Sequence, residues 1–262
     1  MEEQSVMGEQ SATYLIASAA GAVFLGIVHL FAYRLKFLDV FPRSKWLSFA
    51  GGVSIAYIFV HLLPELEEKQ HAFMEFKESI GELTRYPLYL VSLLSLCIYY
   101  GIERHAKLSG VSAKKPANDS AKTPEHAENT TVFYLHIFMF GIYNALVGYT
   151  LRQEEWGVKE LLTFVLAIGF HFMVNDIGFI GHYRHTYIKR GRWLLGFTPL
   201  LGWVAGNLVR LEEAHLGLVL AFIAGGTILN VMKEELPEER KSNYISFIAG
   251  ATGYSVLLLL LS

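Results

Sequence analysis

The chain is poor in cysteine and poor in charge. Its single cysteine, Cys97, lies inside an apolar block, which excludes intramolecular disulfides and cysteine-based metal sites. Asp, Glu, Lys and Arg make up 18% of the 262 residues, against about 25% in ordinary soluble domains. No basic stripe is present, so nucleic acid is not an expected partner. The formal charge of −2 identifies no partner either, because the charges sit between the apolar blocks. Met1–Ala12 is acidic and lacks the basic n-region of a cleaved signal peptide. The apolar block that follows is therefore expected to stay as a permanent first span.

What is abundant is apolar surface. Hydrophobic residues reach 53% and aromatics 14%, gathered into blocks of about twenty, the length a helix needs to cross the hydrocarbon core. The blocks lie near 14–32, 46–64, 86–103, 131–150, 158–182, 193–210, 214–232 and 244–261. They predict an all-α integral membrane protein: a single transmembrane domain over 1–262 with eight transmembrane helices. Only the connection 105–130 is long. Its Lys114-Lys-Pro-Ala-Asn-Asp-Ser120 and Lys122-Thr-Pro124 cannot bury a core and predict a mobile inner loop.

Basic residues set the orientation. Sixteen of the 22 Lys and Arg fall in the connections that are cytoplasmic when the N-terminus is outside, among them Arg34, Arg43, Lys114, Arg190 and Lys241. The expectation is a multi-pass protein of a plasma or inner membrane with both termini outside. The sequons at Asn118 and Asn129 would then face inward, unglycosylated.

The most informative stretch is Val158–Tyr183. It is long enough to span, yet it carries His171, Asn175 and Asp176. His171 and Asn175, four apart, share a helix face with Gly178 and His182. Ionisable groups at membrane depth usually face a bundle interior or a watery path; the plainer reading is a hydrogen-bond cluster that glues helices. The preceding span holds His136, Tyr143 and Asn144. Counted from the inner ends, Asn144 and His171 both lie ~15–20 Å deep at 1.5 Å per residue, so they are expected to meet. Imidazole, carboxylate and amide oxygen together suit zinc or another divalent cation. The candidate metal ligands are Asn144, His171, Asn175 and Asp176, with His136 and His182 near the inner mouth and His61, Glu65, Glu67 and Glu68 at the outer end. No tightly bound cofactor is expected; the metal would be cargo.

Two stretches echo each other. Gly51-Gly52 is followed about three helical turns on by Leu63-Pro-Glu65, and Gly225-Gly226 by Leu236-Pro-Glu238. In this topology the two spans run in opposite directions, the signature of an inverted repeat in which spans one to three mirror six to eight around four and five (3+2+3).

Gly51-Gly-Val through Phe59-Val-His-Leu-Leu-Pro-Glu65, together with Ala224-Gly-Gly-Thr-Ile-Leu-Asn-Val231 and Glu235-Leu-Pro-Glu238, resembles the ZIP (Zrt/Irt-like) family of divalent-metal permeases over nearly the whole chain. The resemblance implies the eight-span fold and a metal site between spans four and five. Where the family's fourth span typically reads His-Asn-x-x-Asp-Gly, this chain has Tyr143-Asn-Ala-Leu-Val-Gly148. Where the fifth reads His-Glu-x-Pro-His-Glu-x-Gly-Asp, it has His171-Phe-Met-Val-Asn-Asp-Ile-Gly-Phe179. Asn144, His171 and Gly178 match. Asp176 is a shortened acid, Asn175 replaces a histidine, and Tyr143, Val147 and Phe172 replace ligands.

The leading expectation is a divergent ZIP-like permease that moves a divalent cation, zinc first, into the cytoplasm through one reduced site. The lost ligands motivate a second: a scaffold that no longer transports and acts as a binding or regulatory subunit, engaging partners through 105–130. An intramembrane metal hydrolase is a distant third, since water activation needs about three good ligands. The expected partners are thus a divalent metal ion, the lipid bilayer and a second copy of the chain in a homodimer.

Overall fold

The computed structural model describes residues 2–35, 45–77, 86–112, 130–154, 157–235 and 243–261. Every regular element among them is helical. The helices are α1 (Glu2–Phe31), α2 (Lys45–Tyr57), α3 (Leu63–Lys77), α4 (Pro87–Ser112), α5 (Thr130–Gln153), α6 (Val158–Thr186), α7 (Arg192–Leu208), α8 (Glu213–Glu235) and α9 (Tyr244–Leu261). The sequence places the helices well but trims them. α1 begins at Glu2 rather than near 14. α4 runs to Ser112, so the first residues expected in the 105–130 loop are helical. Most of that loop and both sequons lie outside the described residues.

α2 and α3 form one rod joined by a wide turn over Ile58–Leu62. The cause is Pro64: it has no N–H for the Val60 carbonyl, and its ring would crowd the preceding turn. The backbone relieves this by admitting one extra residue, with Leu63 N–H donating to the Ile58 carbonyl, rather than by breaking. In α7, Pro199 likewise deprives the Leu195 carbonyl of its partner, and the Thr198 hydroxyl donates to it instead, at 2.8 Å.

α6 and α7 make up a continuous apolar helical stretch of 51 residues, Val158–Leu208. Straight, it would be about 76 Å long, more than twice a hydrocarbon core of about 30 Å. Its neighbours show that it folds back. Along α6, Val165 lies against Gly21 and Gly169 against Phe24, so α6 runs parallel to α1. Along α7, Arg192 reaches the Leu30 carbonyl, Gly196 touches Gly26 and Trp203 donates to Ser18, so α7 runs antiparallel. The reversal begins at Tyr183, whose φ of −138° and ψ of 43° leave the helical region, and ends in a wide turn over Tyr187–Gly191. A side chain at Gly191 would strike the Tyr187 ring at 2.6 Å.

The other pairings continue this alternation. α2 runs against α6, with Tyr57 on Phe164 and Phe49 on Phe170. α4 runs against α5, with Tyr99 donating to the Met139 carbonyl and Glu103 beside His136. α9 lies parallel to α2, α8 to α4, and α7 to α5. The glycines of the sequence echo do matching work here. A Cβ on Gly52 would penetrate the backbone of α9 at Phe247, and one on Gly225 would penetrate α4 at Ser92. Both helices touch their neighbour through backbone, as small residues allow in membrane bundles.

The core is largely apolar, but it also encloses polar side chains, and large apolar side chains lie on the surface. Ser18, His29, Asn144, His171, Asn175, Asp176 and Thr227 are buried, while Ile16, Phe59, Leu93, Phe138, Leu201 and Leu259 are exposed. Among the described residues, five helical stretches are long and apolar enough to cross a bilayer, and Tyr244–Leu260 is a shorter apolar helix. An apolar exterior with polar side chains turned inward is consistent with a multi-pass membrane protein.

Candidate functional site

All four candidate ligands are buried: Asn144, His171, Asn175 and Asp176 expose 1%, 2%, 7% and 0% of their surface. They come from α5 and α6, as expected, but they do not form one cluster. Asn144 does not meet His171. Instead it lies 2.8 Å (Nδ2) from Nε2 of His29, a residue of α1. Nδ1 of His29 is 2.8 Å from Oδ1 of Asp176, which also accepts from the Tyr187 hydroxyl. His171 and Asn175 make a separate pair along α6, Nε2 to Nδ2 at 3.1 Å. One helical step parts the two groups: Asn175 and Asp176 project about 100° apart around the axis.

Aromatic rings wall both groups. Phe172 stacks on His29 with ring centroids 4.6 Å apart. The Tyr143 ring lies 5.9 Å from His171 and 6.2 Å from Phe172. Its hydroxyl and that of Thr227 in α8 are 2.5 Å apart. Tyr143 and Phe172 pack their rings against the neighbouring histidines, and Val147 is fully buried in the main apolar core.

Asn144, His29, Asp176 and Tyr187 form one hydrogen-bonded chain, in which Asp176 accepts from the Tyr187 hydroxyl and the two ring nitrogens of His29 bridge Asp176 and the Asn144 amide. Two oxygens stay unsatisfied although buried: Oδ1 of Asn144 and Oδ2 of Asp176.

Toward the expected inner mouth, His136 is buried, with Nδ1 3.4 Å from the Tyr183 hydroxyl and Nε2 3.8 Å from Glu103. His182 is exposed, with its ring beside that of Tyr183. At the opposite end, His61 sits 3.6 Å from Glu65. Nearby, Lys69 of α3 joins Glu154 at 2.9 Å and Glu213 at 3.7 Å, while Tyr14 of α1 donates to the carbonyls of Leu151 and Glu154.

Two site residues escape the sequence reading. His29 carries a usable signal, an imidazole in the apolar run Gly26-Ile-Val-His-Leu-Phe31, the same signal that singles out His171. Tyr187 carries none, because its place depends on the reversal at Tyr183. Among the described residues, no three of His, Cys, Asp and Glu come together as a metal-binding group. No family model, curated protein or solved structure matches the chain.

Proposed function

We propose that the chain is an eight-span, ZIP-like membrane protein that has given up divalent-metal transport and serves as a binding or regulatory membrane subunit. One observation carries this reading. The side chains at the expected metal site are hydrogen-bonded to each other and to His29 and Tyr187, and aromatic rings fill the space between them. A cation would have to displace protein partners at each ligand, and lone weak pairs do not repay the desolvation of a divalent ion.

The packing supports the architecture. Exchanging α1 with α7, the α2–α3 rod with α8, α4 with α9, and α5 with α6 carries neighbours onto neighbours. The α2–α9 contact becomes α8–α4, α1–α6 becomes α7–α5, and α2–α6 becomes α8–α5. Each exchanged pair runs in opposite directions, as an inverted repeat demands. With eight spans, both termini lie on one side, outside by the basic-residue bias. Segment 105–130 is the expected partner-binding element and a second copy an expected partner.

Reconstituted into proteoliposomes, the protein passes no zinc, cadmium or manganese above empty vesicles, and deleting 113–129 abolishes capture of its partner. Measurable divalent flux overturns this reading. It would favour the permease, which draws on the two unsatisfied buried oxygens of Asn144 and Asp176; flux lost in His171→Ala would then assign Asn144, His171, Asn175 and Asp176 to the path.

A further inference from the structure

We infer that the corner where the end of α1 meets the start of α7 holds one anionic phospholipid, its phosphate on Arg34 and Arg192 and its acyl chains along the two helices. The inference rests on the membrane-spanning architecture and is independent of whether a metal passes.

Two arginines stand where apolar helix begins or ends: Arg34 just past the last residue of α1, and Arg192 as the first residue of α7. The antiparallel packing of α1 on α7 brings them to the same end, and one ring joins them. The guanidinium carbon of Arg192 lies 4.4 Å from the centre of the Tyr33 ring, and that of Arg34 lies 5.7 Å from it. Each also lies over a ring of its own segment, Arg34 over Phe31 and Arg192 over Trp193, both at 5.1 Å. The result is a ladder of rings and cations laid across the seam between the two helices.

Two cations gathered on one ring repel each other unless an anion joins them. Among the described residues no carboxylate stands within ion-pair distance of either, and the buried Asp176 is already engaged by His29 and Tyr187. Arg192 spends one N–H on the Leu30 carbonyl, and its Nε–H has no partner. Arg34 spends its Nε–H on the Tyr33 hydroxyl. A guanidinium carries five N–H donors in a fixed fork, so most of the donors of the pair remain for a ligand. Phosphate oxygens are the acceptors that such forks match best.

The surface beyond the ladder selects a lipid over a free phosphate. From Trp193 an exposed apolar stripe continues along α7 at helical spacing through Phe197, Leu201 and Val204, and from Phe31 another continues along α1 through Ile27 and Val23. Both start at the ladder and run away from the Arg34 end, so a headgroup held between the arginines has apolar surface for its chains directly beneath it. Basic pockets between spanning helices bind anionic headgroups in this way, and an indole at that height suits the headgroup boundary. Arg190, close by in sequence, donates instead to the Tyr134 hydroxyl of α5. It places the same charge at the same end of the bundle without joining the ladder.

The test is native mass spectrometry of the full-length protein in detergent, titrated with phosphatidylglycerol or with phosphatidylcholine of matched chains. One phosphatidylglycerol per chain should be held about ten-fold or more tighter than phosphatidylcholine, as two basic contacts to one anionic headgroup imply. Arg34→Gln and Arg192→Gln should each weaken it about five-fold, and Arg190→Gln less than about two-fold. Inorganic phosphate added in large excess should not displace the lipid. Arg34 is exposed, so its variant carries the test even where Arg192→Gln, which also gives up the Leu30 contact, fails to fold. Equal retention of the two lipids overturns the proposal. So does an Arg190→Gln protein as impaired as Arg34→Gln, since attraction between net charges would then suffice. Displacement by inorganic phosphate overturns it as well, in favour of a site for a soluble anion.

Discussion

Two buried polar groups occupy opposite ends of the bundle, and they are built differently. At the Arg34 end, Asn144, His29, Asp176 and Tyr187 are short or ring-shaped side chains, tightly walled by Phe172 and Tyr143. At the other end, Lys69 and Glu154 are long side chains with fixed opposite charges, 2.9 Å apart. They are helped by Tyr14 and by Gln153, which donates to the Gly206 and Val209 carbonyls. The Lys69 end is a clasp: it ties α1, α3, α5, α7 and α8 together and satisfies helix-end carbonyls that would otherwise be orphaned. The His29 end uses short side chains that bridge α1, α5, α6 and the α6–α7 corner through hydrogen bonds. A long-armed ion pair tolerates small shifts between helices, whereas short side chains in a walled site hold their spacing closely.

Removing one member from each group sharpens the contrast. Asp176→Ala leaves two buried donors, His29 Nδ1–H and the Tyr187 hydroxyl, with no acceptor. It should cost about 3–5 kcal/mol, read as a fall in thermal unfolding temperature in detergent. Lys69→Met, at the partly accessible end, should cost less, about 1–3 kcal/mol, and pairing it with Glu154→Leu should recover most of the loss. An equal or larger loss for Lys69→Met would break the distinction between clasp and network. Smallest is Tyr143→Phe, which gives up one hydroxyl contact to Thr227 and should cost about 0.5–1.5 kcal/mol while leaving the Asn144–His29–Asp176 hydrogen bonds in place. Loss of those bonds would mean that Tyr143 belongs to the network rather than to its wall.

The helices were legible because blocks of apolar residues of bilayer length leave little choice of structure, and the Gly-Gly echo marked two real backbone contacts. Asn144, His171, Asn175 and Asp176 were legible as buried polar residues for the same reason: at that depth they must face protein. Their partners were not. Asp176 and His29 lie 147 positions apart, and nothing local in either segment names the other. Depth counting put Asn144 beside His171 because it fixes height along a helix and leaves rotation about the axis free. Close contacts set that rotation: Gly148 of α5 lies on the Pro199 backbone and Gly169 of α6 on Phe24. The reversal within Val158–Leu208 was legible as the basic connection between the fifth and sixth blocks, but nothing in that connection showed that it would stay helical up to the corner and bring Tyr187 to Asp176.

The corner between α6 and α7 is made of helix on both sides and turns without a slack connection. Tyr187 stands in that corner with its ring stacked on Phe179 and its hydroxyl on Asp176. Any tilt of α7 must therefore pull on the carboxylate through a stiff arm rather than dissipate in a loose tether. Whatever leans on α7 from outside the bundle, a neighbouring protein or a change in bilayer thickness, has a mechanical line to the buried Asp176.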